Sequence, residues 1–291
     1  MKNQWSRRQL LGSALLGATA FALPGQSEGK DAEKFVKSKD FKGNIRQGVS
    51  RWCFGKIPLD ELCRSCKDMG ITGIDLVKPD DWEAVKKNGM EVSMGSLPGV
   101  NIPDGINDKA NHEKVIAVYE KYIPIAAELG IPNLISLSGN RRDIDPETGM
   151  KNCCAALKKI MPLAEKYKIT INMELLNAKD HKDYMCDNTL WGVELCKMVG
   201  SPRFKLLYDI YHMQRMEGDI IYTIRTYNEF FGHYHTAGCP GRMDLDDQQE
   251  LYYPPIMKAI LETGFKGFVS HEFRAKNGLK SLYDAVCLCD V

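Results

Sequence analysis

The sequence predicts a single α/β domain, a (β/α)8 barrel, and three observations carry that reading. Short β-branched or apolar runs alternate with longer amphipathic segments from about Asn44 to the end, with no low-complexity linker between them. Roughly eight such pairs are present, the number a closed parallel barrel requires. Several units also read helix, then x-Gly-(Ile/Phe), then strand, as in "KDMGITGIDLV", "AELGIPNLISLS" and "LETGFKGFVSHEF". A glycine there supplies the left-handed cap that ends a helix before a parallel strand starts. At 291 residues, 44% of them hydrophobic, the chain has the length and the core for one barrel of about 250 residues.

The strands follow in order: "IRQGVS" from Ile45, "GIDLV" from Gly73, "EVSMGS" from Glu91, "NLISLS" from Asn133, "ITINME" from Ile169, "FKLLYD" from Phe204, "GHYHTA" from Gly232 and "FVSHEF" from Phe268. Between them, "NHEKVIAVYEKYIPIAAELG" repeats apolar residues at helical spacing and stops at Gly130, and "GMKNCCAALKKIMPLAEKYK" and "PPIMKAILETGFKG" behave the same way. A doubly wound open sheet is the structural alternative, but no G-x-G-x-x-G follows the first strand.

The N-terminus stands apart. "SRRQLLGSALLGATAFALPG" joins Arg7-Arg8 to an apolar run from Leu10 to Leu23 with small residues near Ala20 and Ala22. This is the pattern of a twin-arginine export signal over residues 1–22, and it predicts a periplasmic or extracytoplasmic protein. The run of about 14 residues is short of the roughly 20 that span a bilayer, so no membrane span is expected in the mature protein. Residues 23–42 read as a polar lead-in, and 43–291 as the barrel. Lys+Arg at 39 balance Asp+Glu at 38, which leaves no basic excess to draw the chain to nucleic acid; a small-molecule substrate is the expected partner, and a homo-oligomer is left open. The ten cysteines fall mostly in helical patterns, as in the C-R-S-C of Cys63 and Cys66, and no second C-x-x-C completes a zinc site. They are expected to be buried, inert thiols.

Chemistry in such a barrel sits at the C-terminal ends of the strands. Four consecutive strands end in polar groups: "INMELLN" with Glu174, "LLYDIYH" with Asp209, "GHYHTAG" with His235 and "VSHEFR" with Glu272. Their spacings of about 35, 26 and 37 residues are each near one βα unit, so the four side chains can converge on the barrel mouth. Three carboxylates and an imidazole form a hard, mostly oxygen site for one divalent ion, Mn²⁺ or Mg²⁺ first, with Zn²⁺ or Co²⁺ as alternatives. Moving a proton next to a carbonyl needs a base and a cation to hold the enediolate; Glu174 and Glu272, from two different strands, suit the first task and the metal the second. Any one of these acids alone reads equally well as a helix N-cap or a solvated loop residue; the succession of four is what points to a site.

"LYDIYHMQRMEGDI", with "MELLN" and "HEF", resembles the hydroxypyruvate isomerase group of the xylose isomerase-like barrels, a family that also contains ketose 3-epimerases. The resemblance extends over essentially everything from about Asn44 onward. It implies a TIM barrel with one metal on Glu174, Asp209, His235 and Glu272, the two glutamates serving also as the acid/base pair. It further implies that His212 and Arg242, the latter in "CPGR", bind substrate, and that Asp180 is an acid near it. Trp52, at the end of the first strand, is read as an apolar wall of the pocket. The implied activity is isomerisation or epimerisation of a small sugar or hydroxy-keto acid.

The chain departs from that pattern at three places. Gly238 and Cys239 stand where the group has an acid, only Glu250 remains of its Gly-rich stretch ending in Glu, and Gly95-Ser96 replaces a third-strand His. A dehydratase of the same superfamily and a non-catalytic exported sugar-binding barrel are therefore kept as alternatives. An endonuclease of the related repair fold would need more histidines at the strand ends. His233 shares a face with His235, as second support or packing beneath the site; His271 faces the other way and reads as structural. Trp191 and Tyr252-Tyr253 read as packing, and His112 as solvated.

Overall fold

Eight parallel strands form one sheet in the order β3-β2-β1-β8-β7-β6-β5-β4. They are β1 (Arg46–Ser50), β2 (Gly73–Asp75), β3 (Glu91–Val92), β4 (Asn133–Ser136), β5 (Thr170–Glu174), β6 (Phe204–Asp209), β7 (Phe231–Thr236) and β8 (Phe268–His271). The computed structural model describes residues 41–291; the segment expected to be an export signal and nearly all of the expected polar lead-in lie outside the described residues. The two ends of the ribbon meet at Gly95, whose N–H donates to the Asn133 carbonyl at 2.8 Å and whose carbonyl accepts from Ile135 N–H at 3.0 Å. The third strand is thus shorter than its sequence run, but Ser93 N–H still bonds the Ile74 carbonyl and Ser96 N–H the Val77 carbonyl. That irregular extension lets Gly95 close the barrel, so the glycine that replaces a histidine in the resemblance lies at the seam.

Nine helices surround the strands among the described residues: α1 (Leu59–Asp68), α2 (Pro79–Lys87), α3 (His112–Glu128), α4 (Pro146–Tyr167), α5 (Thr189–Val199), α6 (Ile210–Met216), α7 (Ile220–Tyr227), α8 (Tyr253–Glu262) and α9 (Leu279–Cys289). Each turns an apolar stripe inward, as the 3.6-residue spacing predicts. In α1 the stripe is Leu62, Cys63 and Cys66, so the C-R-S-C spacing buries both thiols. All ten cysteines are unpaired, eight of them buried, and burial pushes the Cys66 thiol well above its ordinary range. No helix of the described residues is long and apolar enough to cross a membrane. The two ends of the described residues are tied together: Lys42 and Gly43 N–H groups donate to the Asp290 carboxylate at 2.8 and 3.0 Å, and Phe41 meets the Tyr283 ring edge-on. Barrel packing therefore includes Phe41, two residues before the expected boundary.

One irregularity positions the site. Between β6 and β7 the register runs Leu206 to Phe231 and then Leu207 to His233, leaving Gly232 as an extra residue in β7. Such a bulge re-aims the residues after it, and here it sets His233 and His235 on the inner face. A side chain at 232 has no room, because a Cβ there would lie 2.2 Å from Asn172 Oδ1 and 2.8 Å from Lys205 Cβ. Gly232→Ala is expected to destabilise the barrel by about 1–3 kcal/mol, read as a lower denaturation midpoint at unchanged denaturant slope.

On the outer face of β8, His271 is fully buried, with Nε2 2.8 Å from Gln47 Oε1 and Nδ1 2.9 Å from Thr236 Oγ1. Burial holds its imidazole down to about 3. The unfolded chain takes up this proton near pH 6.5 and the folded one only near 3, so the stabilisation is complete above 6.5 and lost as pH falls between those values. Denaturation at pH 7 and pH 5 is expected to show a drop of about 2 kcal/mol from this group, and His271→Gln removes that part of the acid sensitivity.

Candidate active site

Glu174 is the last residue of β5, Asp209 the last of β6, His235 lies one residue inside the end of β7, and Glu272 follows β8. Parallel pairing carries all four to one rim: the Asp209 and His235 positions are direct register partners, and Glu272 N–H continues the ladder to the Thr236 carbonyl at 2.9 Å. One ligand atom from each of the four lies within 4.8 Å of the others, and all four residues are buried. His235 Nδ1 is 2.6 Å from Glu272 Oε2, 3.5 Å from Glu174 Oε1 and 4.0 Å from Asp209 Oδ2. The angles of these contacts fall outside hydrogen-bond geometry, so His235 Nδ1 and Glu174 Oε1 are buried polar atoms without a hydrogen-bond partner. Native folds seldom leave such atoms unpaired unless an ion, water or ligand completes them. The donor set and these two orphaned atoms fit one divalent cation.

Among the side chains alone, positive charge reaches this cluster from Arg242. Its Nη2 lies 2.6 Å from Glu272 Oε2 and 3.3 Å from Asp209 Oδ2. Two rings flank the guanidinium, Trp52 at 5.5 Å and Tyr211 at 5.7 Å from ring centroid to Cζ. The loop that delivers Arg242 is a tight turn in which Gly238 N–H and carbonyl both pair with Met243, Cys239–Pro240 is a cis bond, and Arg242 itself has φ +57°. Gly238 is required there, because a Cβ would sit 2.1 Å from the Asp244 carbonyl oxygen. The acid that the resemblance leads one to expect at this point is thus incompatible with the turn. Cys239 and Glu250 bond each other, thiol to carboxylate at 3.1 Å, and neither lines the cavity.

Burial pushes the Asp209 carboxyl up, with the Glu272 and Glu174 charges adding to it and Arg242 opposing. Burial also pushes Glu272 up, but Arg242 and His235 outweigh it and hold this carboxyl well below its usual range. His235 is raised well above the ordinary imidazole range, since the Glu272 charge, the bond to Asp75 and the closeness of both glutamates overcome burial.

His212, in α6, is fully buried and accepts at Nδ1 from Asn177 backbone N–H at 3.0 Å. The proton therefore sits on Nε2, 3.6 Å from Asp209 Oδ2 and without a hydrogen-bond partner. Burial, then Arg242, keeps the ring neutral, its protonation well below the ordinary range. Asp209 also caps α6, accepting from His212 N–H at 3.1 Å, which fixes the spacing between the two.

A cavity of about 250 Å³ opens beside the cluster. Glu174, Glu272, Arg242, His181 and Trp52 form one side, and Leu76, Val100, Ile102, Ile135, Leu137 and Leu176 the other. Trp52 is 45% exposed at the lip and donates Nε1–H to Glu272 Oε1 at 2.6 Å, so it is more than a wall. Asp180 does not line the cavity. Its carboxylate is taken by Tyr211 Oη at 2.6 Å, Arg215 Nη1 at 2.7 Å and Asn177 Nδ2 at 3.0 Å, an arrangement that braces the Tyr211 ring behind Arg242. Tyr253 is buried and its hydroxyl bonds both backbone groups of Ala237. His112 bonds the Ile106 carbonyl at 2.9 Å and is only partly exposed.

Two residues escaped sequence reasoning. His181 reaches the cavity from the loop after β5, where nothing in its surroundings marks it. Asp75, at the end of β2, lies beneath His235, and its signal was visible: an acid closing an apolar strand, as Asp209 does. Asp75, His233 and His235 form a second group with metal-ligating atoms close together. There each Asp75 oxygen already has donors from the protein, so that group is a hydrogen-bond centre.

The xylose isomerase-like TIM barrel family profile matches residues 55–286. The chain belongs to this family. A candidate hydroxypyruvate isomerase of Homo sapiens is 31% identical over 232 residues, 77% of this chain and 78% of that one. A 2-oxo-tetronate isomerase of Pectobacterium atrosepticum is 22% identical over 244 residues, 77% and 89% of the two chains. Among solved structures, an AP endonuclease of family 2 from Brucella melitensis superposes with a TM-score of 0.73 at 22% identity, covering 81% of this chain and 96% of that one; at that identity the likeness is one of fold.

Trp52→Phe removes the donor to Glu272 and keeps a ring beside Arg242. A hydrogen bond to a charged group is worth about 1.5–3 kcal/mol, so catalytic efficiency is expected to fall about tenfold or more. The side chain is 45% exposed, so thermal stability is expected to stay within about 1 °C.

Proposed function

We propose that the protein is a divalent-metal-dependent isomerase or epimerase of a small sugar or hydroxy-keto acid. The observation that carries this is the convergence of Glu174, Asp209, His235 and Glu272 from four successive strands, two of their donor atoms buried without hydrogen-bond partners. The names of the curated relatives support the same reaction class.

Glu174, Asp209, His235 and Glu272 would hold the cation, and the oxygen-rich set favours Mn²⁺ or Mg²⁺. When bound, the ion supplies positive charge that stabilises negative charge developing on a substrate oxygen. The chain's own groups do the rest. Glu174 lines the cavity, and with Oε1 given to the cation its other carboxylate oxygen is the one placed to take a carbon-bound proton. Glu272, gripped by Trp52 and Arg242, holds its charge and orients across the cavity. His212 presents Nε2–H as a neutral donor to a substrate oxygen. The aliphatic wall and the small cavity exclude water from the proton while it is in transit.

Elemental analysis of the purified protein is expected to give about one divalent ion per chain, lost in an Asp209→Ala, Glu272→Ala double variant. On a panel of small ketoses and keto acids, chelation abolishes turnover, and Glu174→Gln and Glu272→Gln each lower kcat by about 10²–10⁴. Product of unchanged mass supports the isomerase reading. Product lighter by water assigns a lyase instead, and no metal after reconstitution with Mn²⁺ overturns the proposal.

A further inference from the structure

Beneath the four rim residues lies a charge that the proposed chemistry does not use. Asp75 is fully buried at the end of β2, across the barrel from β5 and β6. Its Oδ2 receives Ser270 Oγ–H at 2.6 Å and Ser93 Oγ–H at 2.7 Å; His233 Nε2 lies 2.7 Å from the same oxygen, with its hydrogen-bond geometry toward Ser270 Oγ at 3.2 Å. Its Oδ1 has a single partner, His235 Nε2 at 3.2 Å. An ionised carboxylate only accepts, so every one of these partners donates. A neutral imidazole has one N–H, and if Asp75 claims it at Nε2, the lone pair of His235 lies at Nδ1. That atom is the one facing Glu174, Asp209 and Glu272.

We infer that Asp75 is the positioning residue of the site, holding His235 in the Nε2–H tautomer with its ring turned so that Nδ1 is offered as a ligand to the cation. This rests on the reading of the quartet as a metal site, though not on which reaction it performs. The hub reaches β2, β3, β7 and β8 at once: Asp75 and Ser270 lie in β2 and β8, Ser93 directly follows β3, and both histidines come from β7. Each of the other donors goes to Oδ2, so the carboxylate is anchored through one oxygen and aims the other at His235. His233, 5.2 Å from His235 between ring centroids and nearly perpendicular to it, is part of the anchor; its Nδ1 has no hydrogen-bond partner. A carboxylate behind a ligating histidine also raises the ligand's basicity, and loss of such a partner lowers metal affinity by about 10–100-fold. Fold stability alone does not account for the arrangement, since burying a carboxylate beneath three more carboxylates is unfavourable unless its charge is needed there.

The test is Mn²⁺ affinity of the full chain, measured by chelator competition. In Asp75→Asn the amide can donate as well as accept and carries no charge, so His235 is no longer held to one tautomer; affinity is expected to fall about 10–100-fold. Asn152→Ala, which removes a buried hydrogen bond from α4 to the Asn107 carbonyl, serves as a control for destabilisation and is expected to bind within about twofold of wild type. Wild-type affinity in folded Asp75→Asn overturns the inference, and so does an equal loss in Asn152→Ala. A wild-type measurement covers the case in which Asp75→Asn does not fold: long-range ¹H–¹⁵N spectra of the Zn²⁺-loaded protein are expected to show a protonated, slowly exchanging Nε2 and a metal-bound Nδ1 on His235. Ligation through Nε2 overturns the inference with the metal reading intact, whereas no binding by the wild-type protein overturns both.

Discussion

Crowding three carboxylates at a buried rim is the constraint to which the rest of the site answers. Two unit charges 4 Å apart interact by roughly 4 kcal/mol in surroundings of effective dielectric about 20, and Glu174, Asp209 and Glu272 present three pairwise repulsions within one cluster. Burial adds to the penalty by removing water from each. Such a cluster persists only where positive charge is built around it. Arg242 supplies one such charge from a loop, and a divalent cation fits the remaining need. The strained φ of Arg242 and the ring on each side of its guanidinium follow from having to hold a cation at that one point.

The barrel makes this crowding attainable because parallel strands all end at one rim, and their register decides which side chains meet. Four consecutive units deliver one ligand each. The delivery would fail in β7 without Gly232, since a one-residue shift in a strand exchanges its two faces. With the extra residue, His233 and His235 both turn inward, one above the other, while His271 on β8 turns outward to Gln47 and Thr236. Three histidines within two neighbouring strands thus take three roles, and the pleat assigns them.

That division also explains what could be read from the sequence. The convergence of the four rim residues was legible because strand ends in a barrel recur at a regular spacing, and an acid or imidazole at four successive ends stands out against that period. The shared face of His233 and His235, and the opposite faces of His271 and Glu272, were legible from alternation alone. Asp75 obeys the same strand-end signal, but its work is to support another side chain, and pairing between β2 and β7 residues across the barrel has no trace in local sequence. Asp180 failed in the complementary way: its position six residues after Glu174 is right for a neighbour of the site, yet Tyr211 and Arg215 draw the carboxylate away from the cavity. The loss of an acid at Gly238 reads in sequence as a weakened pocket. In the fold it is the close backbone approach that permits the turn carrying Arg242.

The cavity is divided along the same lines as the barrel. Its acidic side comes from β5 to β8 with Trp52 after β1, and its aliphatic side is drawn mainly from the ends of β2 and β4 and the loops after β3 and β5. Among the lining residues the hydrogen-bonding groups fall almost wholly on the first side, where Glu272 is held by Trp52 and Arg242; behind them, outside the cavity lining, His212 is held by Asn177 and His235 by Asp75. The second side contributes shape and dryness. Among its members Leu76 directly follows Asp75 and has φ +51°, a backbone state that a branched side chain enters only under constraint from its surroundings. A turn to positive φ at that point lets one strand end place Asp75 beneath His235 and Leu76 against the cavity, so the support of the site and the limit on what enters it are set by two adjacent residues.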